Sequence, residues 1–164
     1  MRHITHLVLF LLFALGAPVA AMAQNLGGLS FPVHGNYCGP GHGANGFGWP
    51  APVDPLDYIC LQHDLCTGPS GQLSCGCDIR FMQSLRATPW PNPGYKSKAR
   101  AIYDAMAMMP CTDPAGQAVK MEMAMRDWAD GVASGREPPW EIFLRWGYLG
   151  LHGFERSMRE GPYP

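Results

Sequence analysis

His63 and Asp64 stand side by side between Cys60 and Cys66, within the run DYICLQHDLC that begins at Asp57. Upstream, Tyr37-Cys38-Gly39-Pro40-Gly41 forms a glycine-rich segment with a cysteine of its own. An imidazole is the side chain best suited to take a proton near neutral pH. A carboxylate is a ligand for hard cations, and glycine lets a bound ion or substrate approach main-chain oxygens. A general base, a hard-cation ligand and a carbonyl-rich loop that cysteines can pin together suit metal-assisted hydrolysis, with water as the nucleophile.

These residues need a helix to position them. Asp54-Pro55 reads as a cap followed by proline at the first helical position, and Gly68-Pro69 as a stop, so a helix is expected from Pro55 to Thr67. At about 100° per residue, with Cys60 as zero, Asp64 falls near +40°, Asp57 near +60° and His63 near −60°. One face then carries two carboxylates, an imidazole and a cysteine. If Cys60 pairs with Cys38, the loop is fastened one turn before Asp64. The carbonyls of Tyr37, Gly39 and Gly41 can then turn toward its carboxylate. Three carbonyls, that carboxylate and two waters would meet the 6 to 8 oxygen ligands that Ca²⁺ prefers. A zinc site on Cys60, His63 and Cys66 is the competing reading. It is disfavoured by the angular spread of the three residues and by the oxidised state expected of exported cysteines.

Farther along, a second helix is expected from Ser74 to just before Pro89, antiparallel to the first because the connection is short. A third is expected over Ser97–Met109. A fourth opens at Asp113-Pro114 and ends by Gly131, and a short aromatic helix spans Pro139–Trp146 before a glycine-broken tail. No run alternates at period two and no repeat is present. The expected fold class is all-α: a helical domain stapled by disulfides.

The loop YCGPG, the helix segment DYICLQHDLC and the downstream Cys77-Asp78 together resemble the secreted, calcium-dependent phospholipases A2. The resemblance covers Tyr37 to about Leu85. It implies a fold with two antiparallel catalytic helices preceded by a calcium loop. His63 would activate a water on the sn-2 ester of a glycerophospholipid, and Asp78 would hold the far imidazole nitrogen. Asp64 and the carbonyls of Tyr37, Gly39 and Gly41 would hold Ca²⁺, with the Gly39 N–H as an additional oxyanion donor. It also implies the pairs Cys38–Cys60 and Cys66–Cys77, with Cys75–Cys111 left over. The family's tyrosine after the last cysteine of the His motif, which bonds the orienting Asp, is Thr67 here, and Tyr103 is the candidate substitute. His42 replaces a usual glycine and is expected to point into solvent. A non-catalytic membrane- or protein-binding module of the same fold is the alternative, and a disulfide-stapled toxin or inhibitor module a weaker one. Such modules often lose the His or the Asp, and both are retained here.

The ends and the composition bound the setting. Met1-Arg2-His3, the apolar stretch Leu7–Leu15, Pro18 and Ala21-Met22-Ala23 read as a signal peptide over residues 1–23, followed by one domain over 24–164. No transmembrane span is expected after its removal. Six cysteines in an exported chain imply three disulfides and a secreted, extracellular or periplasmic protein. With 12 basic and 13 acidic residues the chain lacks the basic excess a nucleic-acid partner requires. A phospholipid bilayer or micelle surface is the expected peripheral partner. Arg80, Arg86, Lys96, Lys98 and Arg100 form one candidate docking rim, with a solvated face as the equal alternative. The aromatic segment Trp140–Leu149 is a second candidate, although core packing is the favoured role for it. The methionines between Met106 and Met125 are expected as core filler, and no role is assigned to His34 or His152.

Overall fold

Helix starts follow a single local rule in three places. The side chain of Asp54 accepts a hydrogen bond from the Asp57 N–H at 2.9 Å, with Pro55 at the first position of α1 (Pro55–Ser70). Asn92 accepts from the Tyr95 N–H at 3.1 Å ahead of Pro93, which opens α3 (Pro93–Met108). Asp113 accepts from the Ala115 and Gly116 N–H groups ahead of Pro114, which opens α4 (Pro114–Ala133). Each cap satisfies donors that a helix cannot pair internally, and each proline sits where its missing N–H costs nothing. The third helix therefore begins four residues before the expected Ser97, because Asn92-Pro93 is the same signal as Asp54-Pro55.

The computed structural model describes residues 32–43, 50–71 and 73–160, and the expected signal peptide lies outside them. Among the described residues there are five helices and no strand; α2 (Cys75–Ala87) and α5 (Glu141–Glu160) complete the set. Two helices outrun their expected ends. The first passes Gly68 and Pro69 and stops at Gly71, whose φ of 87° suits glycine. Proline in the final turn forfeits one main-chain hydrogen bond but does not end the helix. The last helix is 20 residues long, so Gly147, Gly150 and Gly153 do not break it. Its packing through buried Ile142 and half-buried Trp146 outweighs glycine's cost of about 1 kcal/mol each.

The core joins Leu56 of α1, Phe81, Met82 and Leu85 of α2, Ala99, Tyr103 and Ala107 of α3, and Ala124 of α4, with Tyr37 and Cys38 from the loop. Met106 and Met123 pack against it, as filler. Disulfides join Cys38 to Cys60, Cys66 to Cys77 and Cys75 to Cys111, the pairing the resemblance implied. Such bridges suit an oxidising compartment. Cys66 meets Cys77 while the earlier His63 meets the later Phe81, so α1 and α2 run antiparallel. No helix among the described residues is long and apolar enough to cross a membrane.

Candidate active site

The glycine-rich loop is held by a residue whose role the helical wheel had not disclosed. Asp57 is fully buried, and its carboxylate accepts from the N–H groups of Asn36 (3.0 Å), Tyr37 (2.8 Å) and Val53 (3.0 Å). Three main-chain donors on one carboxylate stitch both ends of the loop to the first turn of α1. Gly35 makes this possible: its φ is 58°, and a Cβ there would lie 2.3 Å from the Asp57 carboxyl carbon. Asp57 thus anchors the loop. Tyr37 is buried and donates its hydroxyl to the Pro50 carbonyl, which closes the loop further.

A second His–Asp pair fastens the same segment. His34 Nε2 lies 2.6 Å from Asp54 Oδ2, which also accepts from the Tyr95 hydroxyl at 2.9 Å. Lys98 Nζ sits 3.1 Å from His34 Nδ1. Both ring nitrogens of His34 are therefore engaged, and the residue ties the loop to α1 and α3 without a nitrogen to spare for a reacting proton. These contacts also change the basic rim. Lys98 is turned to His34, Arg86 is paired with Asp127 and Arg100 with Asp104, so the row is largely tied into the protein.

His63 differs from His34 in this respect. Its Nε2 is 2.9 Å from Asp78 Oδ1, and the imidazole packs against the Phe81 ring at 4.6 Å between centroids. Burial works against the Asp78 charge, but hydrogen bonds from His63 and Lys120 and the Lys120 ammonium outweigh it and hold the carboxyl below its usual range. An ionised carboxylate only accepts, so the neutral His63 ring would carry its proton on Nε2 and its lone pair on Nδ1. Among the described residues, Nδ1 meets no protein hydrogen-bond partner. This is the arrangement of an oriented general base.

Lys120 was not anticipated. It is completely buried, and its Nζ lies 2.6 Å from Asp78 Oδ2 and 2.7 Å from the Met109 carbonyl. The hydroxyls of Thr67 and of the expected substitute Tyr103 both bond elsewhere than Asp78. Thr67 donates back to the Asp64 carbonyl of its own helix, and Tyr103 donates to Asp127 at 2.7 Å. Tyr103 as a substitute is therefore corrected to Lys120. A signal was present: Gly116, Lys120 and Ala124, spaced four apart, form one buried face of α4. A lysine between two small residues on such a face is placed to reach inward.

Asp64 lies on the opposite flank. Among the described residues its buried Oδ2 has no hydrogen-bond partner, and a Cβ on Gly43 (φ 148°) would lie 2.5 Å from that oxygen. The loop thus closes directly over the carboxylate. Burial chiefly raises the Asp64 pKa to about 6, against the opposing influence of His63. A carboxylate oxygen stripped of water and given no donor would suit a cation. Gly39 and Gly41 have φ of 146° and 63°, and the Gly39 carbonyl also accepts from the His42 N–H at 3.1 Å. His42 does not point freely outward, because its ring reaches the Gly35 carbonyl at 3.2 Å. No three His, Cys, Asp or Glu side chains converge as a metal site among the described residues. An ion at Asp64 would therefore draw on main-chain oxygens. The zinc reading loses its ligands, because Cys60 and Cys66 are both in disulfides.

No protein-family model, curated protein or solved structure matches this chain. The chemistry must therefore be read from the residues themselves. His63 meets Asp78 across the α1–α2 pair that Cys66–Cys77 bridges, and the adjacent Asp64 lies beneath the loop that Cys38–Cys60 holds. A groove of about 430 Å³ between α3 and α5, lined by Arg100, Asp104, Leu144 and Tyr148 among others, contains none of the three. Its arginines are committed to Asp104 and Glu137.

Proposed function

We propose that this chain is a secreted, Ca²⁺-dependent phospholipase A2, which hydrolyses the sn-2 ester of glycerophospholipids to a lysophospholipid and a fatty acid. The observation that carries the reading is the His63–Asp78 pair at 2.9 Å beside a buried Asp64 oxygen that no donor among the described residues reaches. His63 Nδ1 takes a proton from water, the water oxygen attacks the ester carbonyl carbon, and His63 returns the proton to the departing alkoxide. Asp78 keeps the imidazole from turning and supports the imidazolium that forms between those steps. Asp64 and the main-chain oxygens of Tyr37, Gly39 and Gly41 would hold Ca²⁺. The ion, when bound, would polarise the ester and offset the charge of the phosphate. The calcium loop and the paired catalytic helices of a phospholipase A2-like fold are the finer part of this reading. A non-catalytic module of the same architecture is less well supported, since a binding module needs neither the oriented imidazole nor the bare carboxylate.

Fatty-acid release from phosphatidylcholine vesicles tests the reading directly. Release is expected in millimolar Ca²⁺, typical of extracellular sites, and should stop in excess chelator. Chelator-resistant release would overturn the mechanism.

The lipid surface itself is the proposed partner, and α5 is the proposed contact. Trp140, Phe143, Leu144, Tyr148 and Leu151 are 61–74% exposed. They recur at helical spacing along one side, whereas Ile142 is buried on the other. The expected core role of Trp140, Phe143, Leu144 and Tyr148 is thereby corrected, although Trp146 does pack against the core. Large apolar side chains so arranged suit insertion among lipid headgroups. The double variant Trp140→Ser/Phe143→Ser is expected to weaken vesicle co-sedimentation about 10²- to 10⁴-fold, given about 1.5–3 kcal/mol for each of the two large apolar side chains withdrawn from water. Hydrolysis of a monomeric short-chain substrate should be unchanged. Unaltered vesicle binding would remove α5 from the contact.

A further inference from the structure

We propose that Lys120 is the positioning residue of the His63–Asp78 pair: it holds the Asp78 carboxylate in the one orientation that keeps the His63 proton on Nε2 and the lone pair on Nδ1. The proposal rests on the hydrolase reading above and deepens it.

Asp78 uses its two oxygens separately. Oδ1 meets His63 Nε2 at 2.9 Å and Oδ2 meets Lys120 Nζ at 2.6 Å. A carboxylate bonded through one oxygen can swing about its last side-chain bond; bonded through both, from opposite sides, it cannot. Lys120 is itself fixed at its tip, because Nζ also donates to the Met109 carbonyl at 2.7 Å, just past the end of α3. The imidazole on α1 is thus braced through α2 to α4 and the end of α3. The Cys75–Cys111 bridge and the close approach of Gly116 to Cys75 hold α4 near the start of α2.

The charge matters as much as the geometry. Lys120 is entirely out of water and Asp78 almost so. A carboxyl group buried beside a neutral imidazole alone would tend to bind a proton. Protonated, it would become a donor as well as an acceptor, and His63 would no longer be restricted to one tautomer. The ammonium keeps Asp78 an acceptor only. It also weakens the pull of the carboxylate on the imidazole proton, so Asp78 orients His63 without competing for that proton. A phenol in the same place would supply a hydrogen bond but no charge. Thr67 and Tyr103 supply neither, since their hydroxyls are bonded elsewhere.

The test uses the full chain in Ca²⁺. Lys120→Met, nearly isosteric, is expected to lower kcat about 10- to 100-fold, the usual cost of removing a group that orients a first-line residue. KM and the Ca²⁺-induced rise in Tm should be unchanged. The ¹⁵N shifts of the His63 ring should report a protonated Nε2 and a bare Nδ1 in the unaltered protein, and a mixture of tautomers in the variant. Lys120→Ala leaves room for a small amine, so added ethylammonium should restore much of its turnover. Unchanged kcat and ring shifts in Lys120→Met would overturn the proposal. So would lost turnover with unchanged ring shifts and no rescue, which marks a purely structural residue. Should Lys120→Met not fold, Lys120→Ala decides: recovery of fold and turnover in ethylammonium supports the proposal, and failure to recover overturns it. If the unaltered protein releases no fatty acid, the phospholipase reading falls, and the ring-nitrogen shifts judge Lys120 on their own.

Discussion

His63→Gln is expected to lower phospholipid turnover by about 10²- to 10⁴-fold, the share of a barrier that a positioned general base removes. The substitution is chosen to leave the surroundings in place. A glutamine amide can still donate to Asp78 Oδ1, and its stem can still lie against Phe81, but it has no lone pair able to take a proton from water. The matching substitution at the second His–Asp pair, His34→Gln, is expected to leave turnover within a fewfold of the original. That contrast follows from the ring nitrogens. His34 engages both, with Asp54 on one side and Lys98 on the other, whereas among the described residues His63 engages only Nε2. Fatty-acid release measured side by side in the two variants, with Tm as a control for folding, checks the assignment. Turnover that survives in His63→Gln but not in His34→Gln would move the chemistry to the other pair.

What the sequence disclosed divides by how far apart the participating residues lie. Helix starts were legible where a capping side chain and a proline adjoin, at Asp54-Pro55 and Asp113-Pro114. The start at Asn92-Pro93 was written in the same signal and overlooked. Ends were less legible, because Gly68 and Gly131 are only permissive. The chain stops at Gly71 and Ser134 instead, and Gly131 stays helical where its bare Cα accommodates Glu137. The pairing of the six cysteines followed from a resemblance, as did His63 with Asp78. The residues that were missed act across the fold. Asp57 takes donors from residues 21 and 20 positions upstream, and Lys120 reaches a partner 42 positions away. No local rule encodes such contacts, since they depend on how helices pack. The small-residue spacing around Lys120 marks a buried face, but which carboxylate it meets is a tertiary fact. The aromatic segment of α5 was misjudged for a related reason. Apolar composition says that a residue gains from leaving water; it does not say whether protein or lipid receives it.

Asp64→Asn is expected to separate the two duties of the His-Asp run, abolishing the Ca²⁺ response while making the metal-free protein more stable. The sign follows from burial. The folded chain raises the Asp64 pKa from 3.8 to about 6, chiefly by desolvation, so folding disfavours the charged form. Whatever stability this group contributes is present below pH 3.8. It is lost as pH rises through about 6, because the unfolded chain releases the proton first. At pH 8 the metal-free protein therefore carries a half-buried carboxylate whose buried Oδ2 has no partner among the described residues. Asparagine removes that charge, so its Tm in chelator should exceed that of the unaltered protein. Ca²⁺ reverses the order for the unaltered protein alone, by about 2.7 kcal/mol at a hundredfold excess over Kd, a rise in Tm of roughly 5–10 °C. The same linkage makes the Ca²⁺ effect pH-dependent: it should fade as pH falls below about 6 and a proton competes for the carboxylate. Thermal melts at pH 5 and pH 8, each with Ca²⁺ and with chelator, measure all of these quantities together. A Ca²⁺-induced shift of equal size in Asp64→Asn, or one that does not diminish at pH 5, would place the cation somewhere other than beneath the glycine-rich loop.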